Sequence, residues 1–149
     1  MVNEAYQQPD IRPVKGPWWR PVSYVLAQKY KVVWYLQSGR KVTYEVEKGF
    51  RYDGSSEWVL LFLSLFPSAL MWIFGISQDG LHRGAALIHD ALYRNGIVVC
   101  LETGRAINIT RADADYIFYQ VATYSGMPKW KAWIRWVFIR AFGWIWWLT

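Results

Sequence analysis

His89 and Asp113, in the second half of the chain, have the side-chain types and positions needed for acid–base chemistry. His89 and Tyr93 are four residues apart in a stretch with helical periodicity, so they lie on one face of that helix. Asp113, near the start of a second helical stretch, precedes Ile117 and Val121 on an apolar stripe that must pack against something. A carboxylate in such a place needs a partner, and His89 is the best one available.

The chemistry that this pair predicts is general-base catalysis on a water molecule. A carboxylate next to a histidine fixes the imidazole tautomer and stabilises the imidazolium that forms when the ring takes a proton. Asp90 offers a hard oxygen ligand, and the loop with Asp53 and Gly54 offers another carboxylate and backbone carbonyls. This donor set suits Ca²⁺ better than zinc. Such an ion would polarise an ester carbonyl and stabilise the oxyanion.

The residues of the second helix also have structural interpretations. Asp113 is the third residue after Thr110, so its carboxylate can complete a capping box at the start of the helix. Capping and pairing with His89 are equally well supported by the sequence. Arg111 and Asp115, on the same helix, are expected to be solvated.

Structural interpretations also exist for the expected metal ligands. Arg94 is four residues after Asp90 and can neutralise it as an ion pair on the helix surface. Asp53 can bond to backbone N–H groups of its own turn. Cys100 has no second thiol with which to form an internal disulfide, and no catalytic role is expected for it.

The elements that must position these residues form one domain behind an N-terminal arm. Residues 1–21 contain four prolines and no periodicity, which predicts an extended arm. Residues 22–149 are enough for one buried core and too few for two. The expected elements are a β-hairpin at 31–46, a loop at 48–56, an apolar segment at 58–78, helices at 79–95 and 110–125, and an amphipathic helix at 129–142 with an aromatic tail. The expected fold class is α+β and mainly α, with one β-hairpin, an antiparallel helix pair and a Trp-rich C-terminal helix.

The apolar segment 58–78 has two interpretations. It carries no formal charge and has about the ~20 residues that span a bilayer. Pro67 lies in its middle and Gly75 near its end, and a proline inside a helix forces a kink or a break. A buried helical hairpin is therefore favoured over a membrane span.

Charge and aromatic content favour an anionic membrane surface as partner. The chain has 17 Lys and Arg against 11 Asp and Glu, and 19% of its residues are aromatic, which excludes an intrinsically disordered protein. Basic residues alternate with tryptophans near the C-terminus, a mixture suited to a membrane interface, so no nucleic acid partner is expected. The basic residues are Lys129, Lys131, Arg135 and Arg140, and the tryptophans are Trp130, Trp133, Trp136, Trp144, Trp146 and Trp147. The first 20 residues contain no apolar h-region, so no signal peptide is expected.

These motifs carry a resemblance to two families. The run from Ala85 to Tyr93, followed by the run from Arg111 to Tyr116, is similar to the catalytic helices of phospholipase A₂, especially the cysteine-free type of parvovirus capsid proteins. Those enzymes have an HDxxY motif and then an AD-containing helix. From about Val42 onward, the chain more closely resembles an uncharacterised family of bacteriophage and prophage proteins. Its pattern is GFxxDGxS, HDxLYR, RADxxF and RxFGxxxW, and the similar stretches of this chain begin at Gly49.

The resemblance implies both an activity and roles for individual residues. It implies His89 as the water-activating base, Asp113 as its orienting carboxylate, Tyr93 as a hydroxyl that steadies the pair, and Asp90 as a Ca²⁺ ligand. The implied protein is a phage-encoded, virion-associated lipid esterase that acts at the host envelope on an anionic phospholipid surface. The alternative is a non-enzymatic tail or capsid component that contacts other virion proteins and keeps the His/Asp cluster as a structural network. Both place the protein in the virion or at the host-cell envelope.

Overall fold

Two antiparallel sheets and three helices make up the part of the chain that the structure describes, residues 9–14, 23–52, 83–145 and 147 of a computed structural model. The first sheet has the order β1-β2-β5, with β1 at Ile11–Val14, β2 at Ser23–Leu26 and β5 at Arg51–Tyr52. The second has the order β3-β4-β6-β7, with β3 at Tyr30–Tyr35, β4 at Lys41–Val46, β6 at Ile97–Cys100 and β7 at Ala106–Asn108. The helices are α1 at Arg83–Asn95, α2 at Arg111–Tyr124 and α3 at Lys129–Phe142, followed by a 3₁₀ turn at Gly143–Ile145.

The hairpin of β3 and β4 lies where the sequence predicts a hairpin, at 31–46. The strands pair from Tyr30 opposite Val46 to Tyr35 opposite Lys41. Gly39 has a φ of 81°, which the turn between them requires and which glycine adopts without strain. Alternate residues of β3 are buried, as expected of a strand with one face on a core.

The expectation of a mainly α fold with a single β-hairpin is wrong. Of the residues that the structure describes, about 43% are in helices and 30% in strands, and the strands form two sheets. β6 and β7 form a second hairpin between the helices predicted at 79–95 and 110–125, and β1 lies within the predicted extended arm. Strands of two to four residues show too few alternations for a period of two to be visible in the sequence. Their pairing depends on partners from elsewhere in the chain, such as β4 for β6.

Helix α1 packs between the second sheet and helix α2. Ile88 and Leu92 of α1 line one small apolar void together with Val32 and Val42 of the sheet. The Tyr44 hydroxyl of β4 donates a hydrogen bond to the Ala91 carbonyl of α1, 3.1 Å away. The burial of these side chains fixes the rotation of α1 about its axis, and with it the direction in which the helix's polar residues point.

Several predicted segments lie outside the described residues. These are the apolar segment 58–78, the first residues of the helix predicted at 79–95, and residues 53–56 of the loop predicted at 48–56. Among the residues that the structure describes, no helix is both long enough and apolar enough to cross a membrane.

Candidate active site

His89 lies in the middle of α1 and meets a buried carboxylate of α2. Its Nε2 is 3.1 Å from Oδ1 of Asp115, which is fully buried. The His89 side chain is 12% exposed, so one edge of the ring reaches solvent. A buried ionised carboxylate requires partners, and the imidazole is one of them.

Tyr93 contacts the same carboxylate oxygen, one turn further along α1. Its hydroxyl donates a hydrogen bond to Asp115 Oδ1 at 2.5 Å. The Tyr93 and His89 rings have centroids 4.0 Å apart, and the edge of Phe118 packs against the His89 ring. Spacing by four residues in a helix places the two side chains on one face, as the sequence predicts, and their rings meet with planes tilted by 41°.

Arg140, from α3, binds the second oxygen of the Asp115 carboxylate. Its Nη1 is 3.1 Å from Oδ2, and its side chain is 35% exposed. Both carboxylate oxygens are therefore hydrogen-bonded, one to α1 and the other to α3. This satisfies the rule that buried polar groups find partners, and it joins three helices at one side chain.

The end of α3 closes over Tyr93. Trp147 packs edge-on against the Tyr93 ring, with centroids 5.1 Å apart and planes at 90°. Gly143 lies so close that a Cβ there would collide with the Tyr93 hydroxyl oxygen. Arg111 Nη1 donates a hydrogen bond to the Arg140 carbonyl at 3.1 Å, which holds this end of the helix in place.

Substituting Gly143→Ala is expected to lower the free energy of unfolding by about 1–3 kcal/mol, the usual cost of overpacking. In a Tyr93→Phe background the cost should fall, because the colliding oxygen is gone and the next ring atom is 3.3 Å from the added carbon. Urea denaturation of the four proteins in this double-mutant cycle measures the coupling. Equal costs of Gly143→Ala in both backgrounds would contradict the contact.

The electrostatics of the cluster favour an ionised Asp115 beside a basic His89. Burial lowers the pKa of His89, but the hydrogen bond with Asp115 and the negative charges of Asp115 and Asp90 outweigh it and raise the pKa above 6.5. Burial raises the pKa of Asp115, and contacts with His89, Tyr93 and Arg140 reverse this to give a lowered pKa. Burial, together with the neighbouring Asp115 carboxylate, also raises the pKa of Tyr93. Tyr93 is thus a hydrogen-bond donor rather than a base.

The other ring nitrogen of His89 is the one available for chemistry. Because Nε2 lies against Asp115, the tautomer that donates from Nε2 leaves a lone pair on Nδ1. Nδ1 is 4.0 Å from Asp90 Oδ1, too far for a direct hydrogen bond. The Asp90 side chain is partly exposed, so this nitrogen is on the solvent side of the cluster.

Asp113 is not the partner of His89, contrary to one of the two interpretations of the sequence. Its carboxylate accepts hydrogen bonds from the backbone N–H and hydroxyl of Thr110, at 3.2 and 2.7 Å, and completes a capping box. It also accepts a hydrogen bond from Gln37 N–H at 3.3 Å. The free N–H groups at the start of α2 thus hold Asp113 away from α1. Asp115, which the sequence led us to expect in solvent, takes the role instead.

Of the expected calcium ligands, Asp90 is within the described residues, whereas Asp53 and Gly54 lie outside them. No group of three or more His, Cys, Asp or Glu side chains suited to a metal occurs among the described residues. Asp90 is not neutralised by Arg94, whose guanidinium lies 5.0 Å from the centroid of the Phe50 ring. Asp90 therefore fits as one hard oxygen ligand but does not form a site without residues from elsewhere.

Comparison with known families places this cluster in a wider group of proteins. A family model described as "Protein of unknown function (DUF1353)" matches residues 30–139. The chain belongs to this family. The DUF1353 match runs from β3 into α3 and contains His89, Tyr93 and Asp115, whereas Arg140 follows directly after it. No curated protein and no solved structure matches the chain significantly.

Proposed function

We propose that this DUF1353 protein is a phage-encoded, virion-associated lipid esterase that resembles phospholipase A₂ and acts at the host envelope. The observation that carries the proposal is the contact of His89 Nε2 with the buried Asp115 carboxylate, because in the neutral ring that donates from Nε2 the lone pair is on Nδ1, beside the partly exposed Asp90. Tyr93, the tyrosine of the HDxxY motif, donates to the same oxygen. The phospholipase resemblance assigns this steadying role to Tyr93.

In the proposed reaction, His89 Nδ1 takes a proton from water while the water oxygen bonds to the acyl carbon of the ester. Asp115 stabilises the imidazolium as it forms, and Tyr93 and Arg140 keep the carboxylate oriented. The C–O bond to the alcohol then breaks, and the imidazolium returns its proton to the departing oxygen. The products are a fatty acid and the alcohol part of the lipid.

Calcium is part of the proposal through Asp90, with Asp53 and Gly54 as further ligands. When bound, such an ion supplies polarisation of the ester carbonyl. Asp90 is directly next to His89 in sequence, so an ion held by its carboxylate would lie on the solvent side of the ring, where the ester must approach.

Hydrolysis of vesicle lipids tests the proposal. Purified protein is incubated with vesicles of phosphatidylglycerol and phosphatidylcholine, either in a chelator or in a calcium series up to millimolar, and released fatty acid is measured. We expect release that depends on calcium. Absence of release at every calcium concentration would overturn the esterase function.

A second function, that of a non-enzymatic virion component, is favoured by the complete satisfaction of the Asp115 carboxylate. His89, Tyr93 and Arg140 together bond both of its oxygens, as they would in a purely structural network. In this case the protein contacts other virion proteins and the cluster serves stability. Stoichiometric recovery in purified particles, without lipid hydrolysis, would favour it.

A further inference from the structure

Helix α3 and the turn after it expose a continuous apolar stripe. Trp130, Trp133, Val137 and Trp144 are all exposed, with Trp133 at 56%. Spacings of three and four residues place Trp130, Trp133 and Val137 on one face of α3, and Trp144 follows in the 3₁₀ turn. Ala132, on the opposite side, is fully buried. We call these four residues the α3 stripe.

A surface of this kind on a folded protein marks an interaction site. Single exposed apolar side chains are ordinary, but a row of three tryptophans is costly in water. Tryptophan also favours the boundary between water and lipid, because its ring is apolar and its N–H is polar. The α3 stripe therefore has the composition of a surface that enters an interface.

The charge of α3 indicates the kind of partner. The 14 residues of the helix contain four basic side chains and no acidic one. Lys129 and Lys131 flank Trp130, and the Lys131 ammonium lies 5.3 Å from the centroid of the Trp130 ring. Basic side chains beside an apolar stripe complement a surface that is anionic at its boundary and apolar beneath.

We propose that the α3 stripe is a docking surface for an anionic phospholipid bilayer. A second copy of the chain fits less well, since a contact between two α3 stripes would bring Lys129 and Lys131 of each copy close to the same residues of the other. The apolar segment 58–78 also fits less well, because it has no charged residue to complement α3. The bilayer alone among these supplies both negative charge and an apolar interior.

Docking extends the proposed function by giving the surface that would bring the protein to its lipid substrate, yet it does not depend on catalysis. Its experiment therefore measures binding. The full chain is sedimented with sucrose-loaded vesicles of phosphatidylcholine alone, or of phosphatidylcholine with phosphatidylglycerol, at low and high salt. We expect binding to the anionic vesicles that weakens as salt rises.

Two sets of variants locate the surface. Trp133→Glu should weaken binding to anionic vesicles about 50-fold or more, since it removes a large apolar ring and adds a negative charge. The matched control is Ile97→Glu on β6, which changes a residue of similar exposure, 47%, and should leave binding unchanged. Lys129→Gln with Lys131→Gln should weaken binding about 25-fold, from about 1 kcal/mol for each basic residue.

Three results for a protein that does bind vesicles would overturn the docking proposal. They are equal binding to both vesicle types, equal losses for Trp133→Glu and Ile97→Glu, and a dimer in sedimentation equilibrium that Trp133→Glu dissociates. The last would identify a second copy as the partner. Hydrolysis of a dispersed short-chain ester by a protein that binds no vesicles would overturn docking and leave the esterase function standing. Vesicle binding without any hydrolysis would leave the docking proposal standing and overturn the esterase function.

Discussion

Replacing His89 by glutamine is expected to lower the rate of fatty acid release by about 10²–10⁴-fold, the usual contribution of a general base. Glutamine approximates the reach of the imidazole and can still donate a hydrogen bond to Asp115, but its amide cannot take a proton from water. The variant should therefore keep its fold, as followed by circular dichroism and urea denaturation. Release at the wild-type rate by a folded His89→Gln protein would contradict the role of His89 as base.

The pH dependence gives this prediction a second readout. Because His89 must be neutral to accept a proton, activity should rise with pH through its raised pKa, at a midpoint above 6.5. The stability that His89 contributes should change in the opposite direction. A raised pKa in the folded state stabilises fully below 6.5 and less as pH rises through the folded value.

The stability that Asp115 contributes changes at the acidic end of the pH range. Its pKa is lowered in the folded state, so its stabilisation is present above 3.8 and is lost as pH falls through the folded value. Stability is thus expected to be greatest between these two limits. Rates measured across pH, with His89→Gln as reference for stability, test the assignment, and a rate midpoint below 6.5 would contradict it.

Replacing Asp115 by asparagine is expected to lower the free energy of unfolding by about 3 kcal/mol. Removing one member of a buried ion pair costs about 3–5 kcal/mol because the remaining charge loses its partner. The lower end applies, since Arg140 is 35% exposed and water can partly solvate it. Asparagine also places amide N–H groups where Tyr93 and Arg140 donate, so donors would face donors. Urea denaturation measures the loss, and esterase activity should fall with it.

Asp113→Asn is the matched control, two residues away on the same helix. Asp113 lies in the first turn of α2, where loss of a carboxylate costs about 0.3–1 kcal/mol through the helix dipole. Its substitution should leave the pKa of His89 and the rate of hydrolysis close to wild type. If Asp113→Asn instead removed activity and Asp115→Asn did not, the pairing of His89 with Asp115 would be wrong.

The sequence predicts the site residues of α1 more fully than those of α2. His89 and Tyr93 share a face of α1 because of their spacing alone, and their rings are in contact in the structure. Asp113 and Asp115 point about 200° apart on α2, and both border its buried stripe, so periodicity does not choose between them. The capping box of Thr110 and Asp113 was visible in the sequence. Assigning Asp113 to the cap would have left Asp115 as the remaining carboxylate of that helix.

Other parts of the site had no local signal. Arg140 and Gly143 reach Asp115 and Tyr93 only because of the way α3 crosses the other helices. Crossing angles depend on side-chain packing over the whole contact, which periodicity does not report. The short strands were missed for the similar reason that their pairing partners are remote. The helices and the β3–β4 hairpin are thus predictable from local patterns, whereas the short strands and the contacts between elements are not.

The bonding of the Asp115 carboxylate to side chains of two other helices has a consequence for how the protein unfolds. Asp115 lies on α2 and its carboxylate is hydrogen-bonded to His89 of α1 and to Arg140 of α3. If any one of these helices separates from the others, a charged group in the apolar interior loses a partner. Every partial unfolding that separates one of the three helices therefore costs the free energy of an unpaired buried charge. Fraying of a single helix is therefore suppressed near Asp115, and the backbone amides around it become accessible to exchange with solvent together, as one cooperative unit.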